Sequence, residues 1–397
     1  MDNVTHSLFG YAIGRLAGDR GQRAEPEKRA TVWSSVIASN VPDLDFVVGP
    51  LSHDPKLAYL LYHRGHTHTL VMALPLGLLV AVACARLMGV RETDARRRVL
   101  IMGGLAGLLH IAFDALNNYG VHPFYPLDNG WYYGDAVFII EPLMLAALVP
   151  LPLWTARRWW GKSIAATVAV ALLGLLWGVS LIPAGVGAAT TLLLLAGVAT
   201  QRLLRPGAGT TLVALSAVIA VYAGGSRLAR ARLQRSLADA VPAERQVELV
   251  TTPFPGNPLC WTGIAITSDG DAIYRARYGA VSLAPRVVAP AACAVMPRGE
   301  TTAPLLPAEL PGDGAVRWTH RFQGPLSELR QLSRQHCEAA AMLRFVRAPY
   351  WVLSQSPLLG DLRYDNGPGL DFAEKHVGDD CRDPVPPWTP PLEELLD

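Results

Sequence analysis

Six long apolar runs follow one another between residues 70 and 225, and they restrict what this chain can fold into more than any other feature. Leu70–Met88 is apolar but for Arg86, Val99–Leu116 but for His110 and Asp114, and Ala136–Trp154 but for Glu141. Ser163–Ile182 carries no charge, and Val186–Thr200 and Thr210–Gly225 are uncharged but short. A helix needs about 20 apolar residues to cross the hydrocarbon core of a bilayer, with a lower limit near 17. One such run can be buried in a soluble core; six in succession point to a polytopic membrane protein. The composition agrees, with 51% hydrophobic and 17% charged residues, where a soluble domain averages about 25% charged. These figures exclude a disordered chain. A net charge of +2 advertises no surface for nucleic acid, and none is expected as a partner.

Two weaker apolar segments, Val4–Leu16 and Thr31–Val48, precede the runs. The N-terminus lacks the basic stretch of a secretory signal. Gly10, Gly14 and Gly18 repeat every four residues, which smooths one helix face for close packing. The basic residues orient the chain. With alternating helices and an outer N-terminus, 13 Lys and Arg fall on inner loops, from Arg20 to Arg205, and only Lys56 and Arg64 on outer ones, as the positive-inside rule expects. Arg227, Arg230, Arg232 and Arg235 disagree by following the last run on the outer side. Either that helix continues as an amphipathic stretch or one short run is not a span.

The expected fold is therefore an all-α polytopic membrane bundle with a C-terminal, β-containing extramembrane domain. The divisions fall at 1–155, 156–225 and 226–397. The last segment is rich in Pro and Gly and holds alternating runs such as Ala272–Tyr278, which read as short strands; its tail around Pro384–Pro391 reads as irregular. Cys260, Cys293, Cys337 and Cys381 lie there, enough for two disulfides in an outer domain, although free buried cysteines are the alternative.

The chemistry sits in the first 141 residues. His110 and Asp114 lie inside an apolar run four apart, on one helix face. Ionisable groups within a span are costly and usually functional, though a buried His–Asp bond that merely locks two helices would leave the same trace. Asp43 and Asp45 follow a Pro that turns the chain. His63-Arg64-Gly65-His66-Thr67-His68 comes just before the Leu70 run, with Gly65 placed to let His63 and His68 converge. His6 is near the start of the first helix. In the topology above, His6, Asp43, Asp45, His63, His68, His110, Asp114 and Asp135 all reach the outer side. Ligation by His and Asp without Cys suits Zn, Mn or Fe, and the ligand number suits one or two ions.

The run Met1-Asp2-Asn3-Val4-Thr5-His6-Ser7-Leu8, the Pro42-Asp43-Leu44-Asp45 motif, His63-Arg64-Gly65-x-Thr67-His68, and His110-x3-Asp114 resemble the membrane-bound metal-dependent hydrolases, also described as LexA-binding, inner-membrane-associated hydrolases. The resemblance covers roughly residues 1–155. It implies a divalent-metal site at His6, Asp43, Asp45, His63, His68, His110 and Asp114, with His66 a weaker candidate. It also implies a multi-pass protein of the inner membrane.

Roles follow from chemistry and position. Asp43 serves as a ligand or as a partner that orients a histidine. Arg64 holds an anionic oxygen or snorkels to headgroups. Asp135 or Asp128 acts as a general base or further ligand. Trp131, Tyr132 and Tyr133 read as interfacial anchors. The functional expectation is a membrane metal-dependent hydrolase, acting at the outer face on a lipid or lipid-linked phosphoester. The alternative is a non-enzymatic metal-binding membrane protein with a structural or regulatory role.

Overall fold

The computed structural model describes residues 1–178, 182–270, 272–293 and 300–396. Its first half is helical and its second carries antiparallel sheets. Helix α1 (Asn3–Gly18) starts where Asp2 accepts from Thr5 N at 2.9 Å. It packs on α2 (Glu25–Ala38) through its glycine face: a methyl group at Gly10 would sit 2.7 Å from Ser35 O, and one at Gly14 2.8 Å from Val32 Cα. A 3₁₀ turn (Val41–Val47), short helices α3 (Val48–Leu51) and α4 (Pro55–Tyr62), and a second 3₁₀ turn (His66–His68) lead to α5 (Leu70–Leu87), which Thr69 caps at Met72 N. Helix α6 (Thr93–Asp114) returns against α5 at backbone distance, since a methyl at Gly107 would meet Ala73 O at 2.5 Å.

Among the described residues, four helices are long and apolar enough to cross a membrane: α5, α9 (Trp159–Gly178), α10 (Ala184–Leu203) and α11 (Ala208–Ala240). This redistributes the six expected spans. The Val99–Leu116 run falls in α6 as far as Asp114, and the first turns of that helix hold Arg96, Arg97 and Arg98, so its apolar stretch is short. Ala136–Trp154 is not one helix. Ala136 N and Val137 N both donate to Leu116 O, holding that stretch out of helix. Glu141 then caps α7 (Pro142–Leu148) through Leu143 N, and Pro150 opens the separate helix α8 (Pro150–Thr155). The two short runs, by contrast, are embedded in full-length helices. The Ser163–Ile182 run falls in α9 as far as Gly178, and its residues 179–181 lie outside the described residues.

At 33 residues α11 is long; it measures about 50 Å against a hydrocarbon core of about 30 Å. The excess carries Arg230 and Arg232 onto the sheet, where they donate to Leu249 O and Ser282 O. The helix thus continues through position 226, where a domain division was expected.

Strands β1 (Arg245–Phe254), β2 (Asn257–Asp269), β3 (Ile273–Ser282), β4 (Leu306–Pro307) and β5 (Val316–Pro325) form an antiparallel sheet in the order β1-β2-β3-β5-β4. Leu233 of α11 packs into the hollow over Gly263, where a methyl would lie 2.6 Å from its Cδ2. Helices α12 (Leu326–Gln335) and α13 (Cys337–Met342) lead to a second sheet, β6 (Pro349–Val352), β7 (Leu358–Asp361) and β8 (Glu374–His376), and α14 (Glu393–Leu396) closes the described chain. Disulfides join Cys260 to Cys293 and Cys337 to Cys381; Cys84 is free and buried.

The C-terminal domain rests on the loops that follow α4 and α6. Trp388, 1% exposed, donates to Leu61 O at 2.7 Å and stacks on His122 at 3.8 Å. Arg363 donates to Asn118 O at 2.5 Å. The tail before α14 is irregular, yet it is packed down at Trp388.

Candidate metal centre

Segments far apart in sequence deliver the polar residues to one buried point. Asp43 comes from the first 3₁₀ turn, His68 from the second, and His110 and Asp114 from the last turns of α6. One ligand atom of each lies within 4.8 Å of the others. His68 Nε2 is 3.3 Å from Asp43 Oδ1, 3.2 Å from Asp114 Oδ2 and 3.0 Å from His110 Nε2. His110 Nε2 is 3.6 Å from Asp43 Oδ1 and 3.4 Å from Asp114 Oδ2. A four-coordinate centre with bonds of about 2.0–2.2 Å has ligand–ligand edges of about 3.3–3.6 Å, so the spacing fits such an ion.

The imidazoles are oriented from behind. His110 Nδ1 donates to Ser39 O at 2.8 Å, which leaves the Nε2 lone pair facing the cluster. His68 Nδ1 lies 3.2 Å from Asp45 Oδ2, and its Nε2 faces inward. Metal-bound histidines are commonly held by carbonyls and carboxylates in this way. Asp45 also holds His63 Nδ1 at 2.8 Å and accepts from Thr67 Oγ1 at 2.7 Å and Arg64 N at 3.0 Å. Asp43, Asp45 and His63 form a second group able to hold an ion, and Asp43 belongs to both. His6 stacks on His110 at 4.0 Å and reaches Asp114 Oδ1 through Nε2 at 3.1 Å, and the Met1 amino group also contacts that oxygen. These buried His/Asp groups can therefore hold a metal ion.

Charge is concentrated here. Burial opposes a proton on His68, but hydrogen bonds to Asp114, Asp43 and Asp45 outweigh it and push the imidazole up to about 10. Burial also opposes the charge on Asp45, and His63 and His68 overcome it, holding that carboxyl well below its usual range. Asp43 Oδ2 and His6 Nδ1 are buried and lack a hydrogen-bond partner, while Asp114 Oδ2 is shared among His68, His110 and Arg64. A buried carboxylate oxygen left without a partner is costly, and a cation is the natural complement.

Arg64 is the one strained residue at the site. Its φ of 61° lies in the left-handed region, which costs a residue with a side chain on the order of 1–2 kcal/mol. The turn aims its guanidinium inward: Nε sits 3.2 Å from Asp114 Oδ2, Nη1 donates to Asn117 Oδ1 at 2.9 Å, and the group lies 4.7 Å over the Tyr119 ring.

Of the residues singled out from sequence, His6, Asp43, Asp45, His63, Arg64, His68, His110 and Asp114 come together. Asp128 and Asp135 have other partners. Asp128 is exposed and accepts from Tyr132 OH and Gly130 N. Asp135 is 4% exposed and gives both oxygens to Arg347, at 2.7 and 2.9 Å. Asp135 is thus engaged in a two-point ion pair with Arg347 and faces the C-terminal domain. His66 packs against Tyr125 and Trp388. Trp131 packs against His122 and donates to Arg344 O, so it binds the C-terminal domain. Thr67, Asn117 and Tyr119 were not anticipated in their supporting roles; the signal for Thr67 was its place between two histidines.

No curated protein and no solved structure matches the chain. Residues 1–185, which contain the entire cluster, match the family model described as YdjM inner membrane protein, so this part of the chain is similar to a membrane-associated family.

Proposed function

We propose that the protein is a metal-dependent hydrolase of the inner membrane, acting at the outer face on a lipid or lipid-linked phosphoester. The observation that carries the reading is the convergence of Asp43, His68, His110 and Asp114 on one buried point, with Asp43 Oδ2 unpartnered. A divalent ion held there, Zn or alternatively Mn or Fe, would polarise a phosphoryl or ester oxygen. The chain's own groups supply the rest. Asp45 and Ser39 O fix the imidazoles, and Arg64 places a permanent positive charge beside the point where an anionic oxygen arrives.

Two features support the substrate and the side. In the first 3₁₀ turn the carboxylates point inward while Leu44 and Phe46 are 55% and 52% exposed. That turn presents an apolar edge next to a polar centre, as a lipid substrate requires. The two disulfides belong to an oxidising compartment, and their domain packs on the loops that bear the site. The site and the C-terminal domain then share the outer side.

The test is elemental analysis of the detergent-purified protein beside a His63→Ala/His110→Ala variant, with turnover of a short-chain lipid phosphoester measured on both. About one to two equivalents of metal, absent from the variant together with turnover, is the expected result. Metal without turnover would leave a structural or regulatory metal site. Wild-type protein that is well folded and holds no metal after reconstitution would end the reading.

A further inference from the structure

We propose that the groove between α1–α2 and α8–α9 binds one anionic phospholipid, at a site separate from the His/Asp cluster. The groove encloses about 810 Å³. Its origin is the glycine face of α1. That face draws α1 onto α2, while the other side of α1 meets α8 at Thr155, where Tyr11 OH lies 3.0 Å from Oγ1 and Arg15 Nη1 donates to the carbonyl at 3.2 Å. The chain then turns at Ala156–Arg158 before α9 begins, and a trough stays open between the two pairs.

The trough has two chemically distinct parts. Leu8, Val32, Val36 and Ile164 form an apolar wall. The other end is basic. Five cations line the groove against two acids, Asp19 and Glu25. Arg15 pairs with Asp19 at 2.8 Å, and Arg157 pairs with Glu25. Lys28, Arg29 and Arg158 have no acidic partner among the described residues. Trp33 and Trp160 stack at 6.0 Å and also line the groove, as aromatic side chains do at a membrane interface. Three unpaired cations beside an apolar trough complement one molecule that carries a phosphate and an acyl chain. A zwitterionic headgroup brings its own cation and meets this end less well, so an anionic headgroup is selected.

The groove's own tryptophans report on it. The full-length protein, delipidated in detergent, is mixed with brominated phosphatidylglycerol or brominated phosphatidylcholine, and tryptophan quenching is followed. Phosphatidylglycerol should quench at a concentration about tenfold lower or less. Trp33→Phe/Trp160→Phe should remove the selective part of the quenching. Lys28→Gln/Arg29→Gln/Arg158→Gln should erase the preference, and Val36→Phe, which narrows the apolar part with the charges intact, should weaken quenching by both lipids. Soluble glycerol phosphate should fail to compete, because it lacks the chain. Equal quenching by the two lipids in wild type, or selective quenching that survives loss of both tryptophans, would overturn the proposal. So would full competition by glycerol phosphate. The tryptophan pair and Val36→Phe decide the matter even where the triple variant fails to fold. None of these readouts depends on metal.

Discussion

Asp114 and Asp135 are both buried carboxylates on adjoining stretches of chain, and their surroundings are built on opposite principles. Around Asp135 every acid meets a guanidinium. Arg347 takes both oxygens of Asp135, reaches Glu248 at 3.3 Å and lies 3.9 Å over Tyr133, and Arg363 chelates Asp361. Around Asp114 the acids meet imidazoles, Arg64 and an amino group, and one carboxylate oxygen, Asp43 Oδ2, has no hydrogen bond. The first cluster has every carboxylate paired with an arginine and joins the C-terminal domain to the helical half. The second has donor atoms aimed at a common point and lone pairs to spare. Satisfaction, more than burial or charge, separates a structural ion pair from a candidate ligand site.

The largest expected effect comes from breaking the paired cluster. Arg347→Met strands a buried Asp135, and removing one partner of a buried pair costs about 3–5 kcal/mol. Thermal unfolding and limited proteolysis should show the C-terminal domain loosened, with metal content per folded molecule unchanged. A loss below about 1 kcal/mol, the scale of a surface pair, would put Asp135 outside any clamp.

The open cluster should respond to metal instead. Zinc at about a hundred times its Kd should stabilise the wild type by about 2.7 kcal/mol. His68→Ala should abolish that gain, and Asp135→Asn should keep it, read as the difference in melting temperature with and without zinc. Equal loss in both variants would merge the two clusters into one functional unit, with Asp135 part of the metal site.

Much of the open cluster is legible in the sequence because its residue types are out of place there. His110 and Asp114 inside an apolar run, and three histidines just ahead of another, have few apolar explanations. The paired cluster is illegible for the opposite reason: Arg347 lies 212 residues from Asp135, and an arginine in a sheet domain carries no local signal. Asp135 therefore looks like an unclaimed acid until its partner is in view. The fold divides similarly. The apolar runs reveal a helical membrane half, but hydropathy alone cannot see that Leu116 O holds Ala136 and Val137 out of helix, or that Pro150 separates α7 from α8. Nor does it reveal that α11 runs on into the sheet domain, where Arg230 and Arg232 find strand carbonyls beyond the apolar stretch.

Helix packing behind the open cluster gives a third, intermediate effect. Gly107 faces Ala73 O, and its helix carries His110 one turn later. Gly107→Val should push α6 off α5 at a cost of about 1–3 kcal/mol. It should also weaken zinc stabilisation, because Ser39 O would no longer orient His110. The matching change at Gly224, where nothing lies within 4 Å, should leave zinc binding intact.

The smallest effect concerns His122, which stands between the two clusters. Its Nδ1 reaches Arg64 O at 3.3 Å, and its ring is packed against Trp131 and Trp388 at 3.8 Å each. Burial drives this imidazole down to about 3 from an ordinary 6.5. The folded protein thus favours the neutral ring, while the unfolded chain takes up a proton near 6.5. Stability from this group is complete above that pH and is lost as pH falls from about 6.5 towards 3. Between pH 7 and 5.5 the loss should be on the order of 1 kcal/mol. His122→Phe keeps the stack and removes the titration, so its melting temperature should fall less over the same interval. If both proteins lose stability in parallel, the acid sensitivity belongs to other groups, and His122 acts in the contact between tail and site loop through its shape alone.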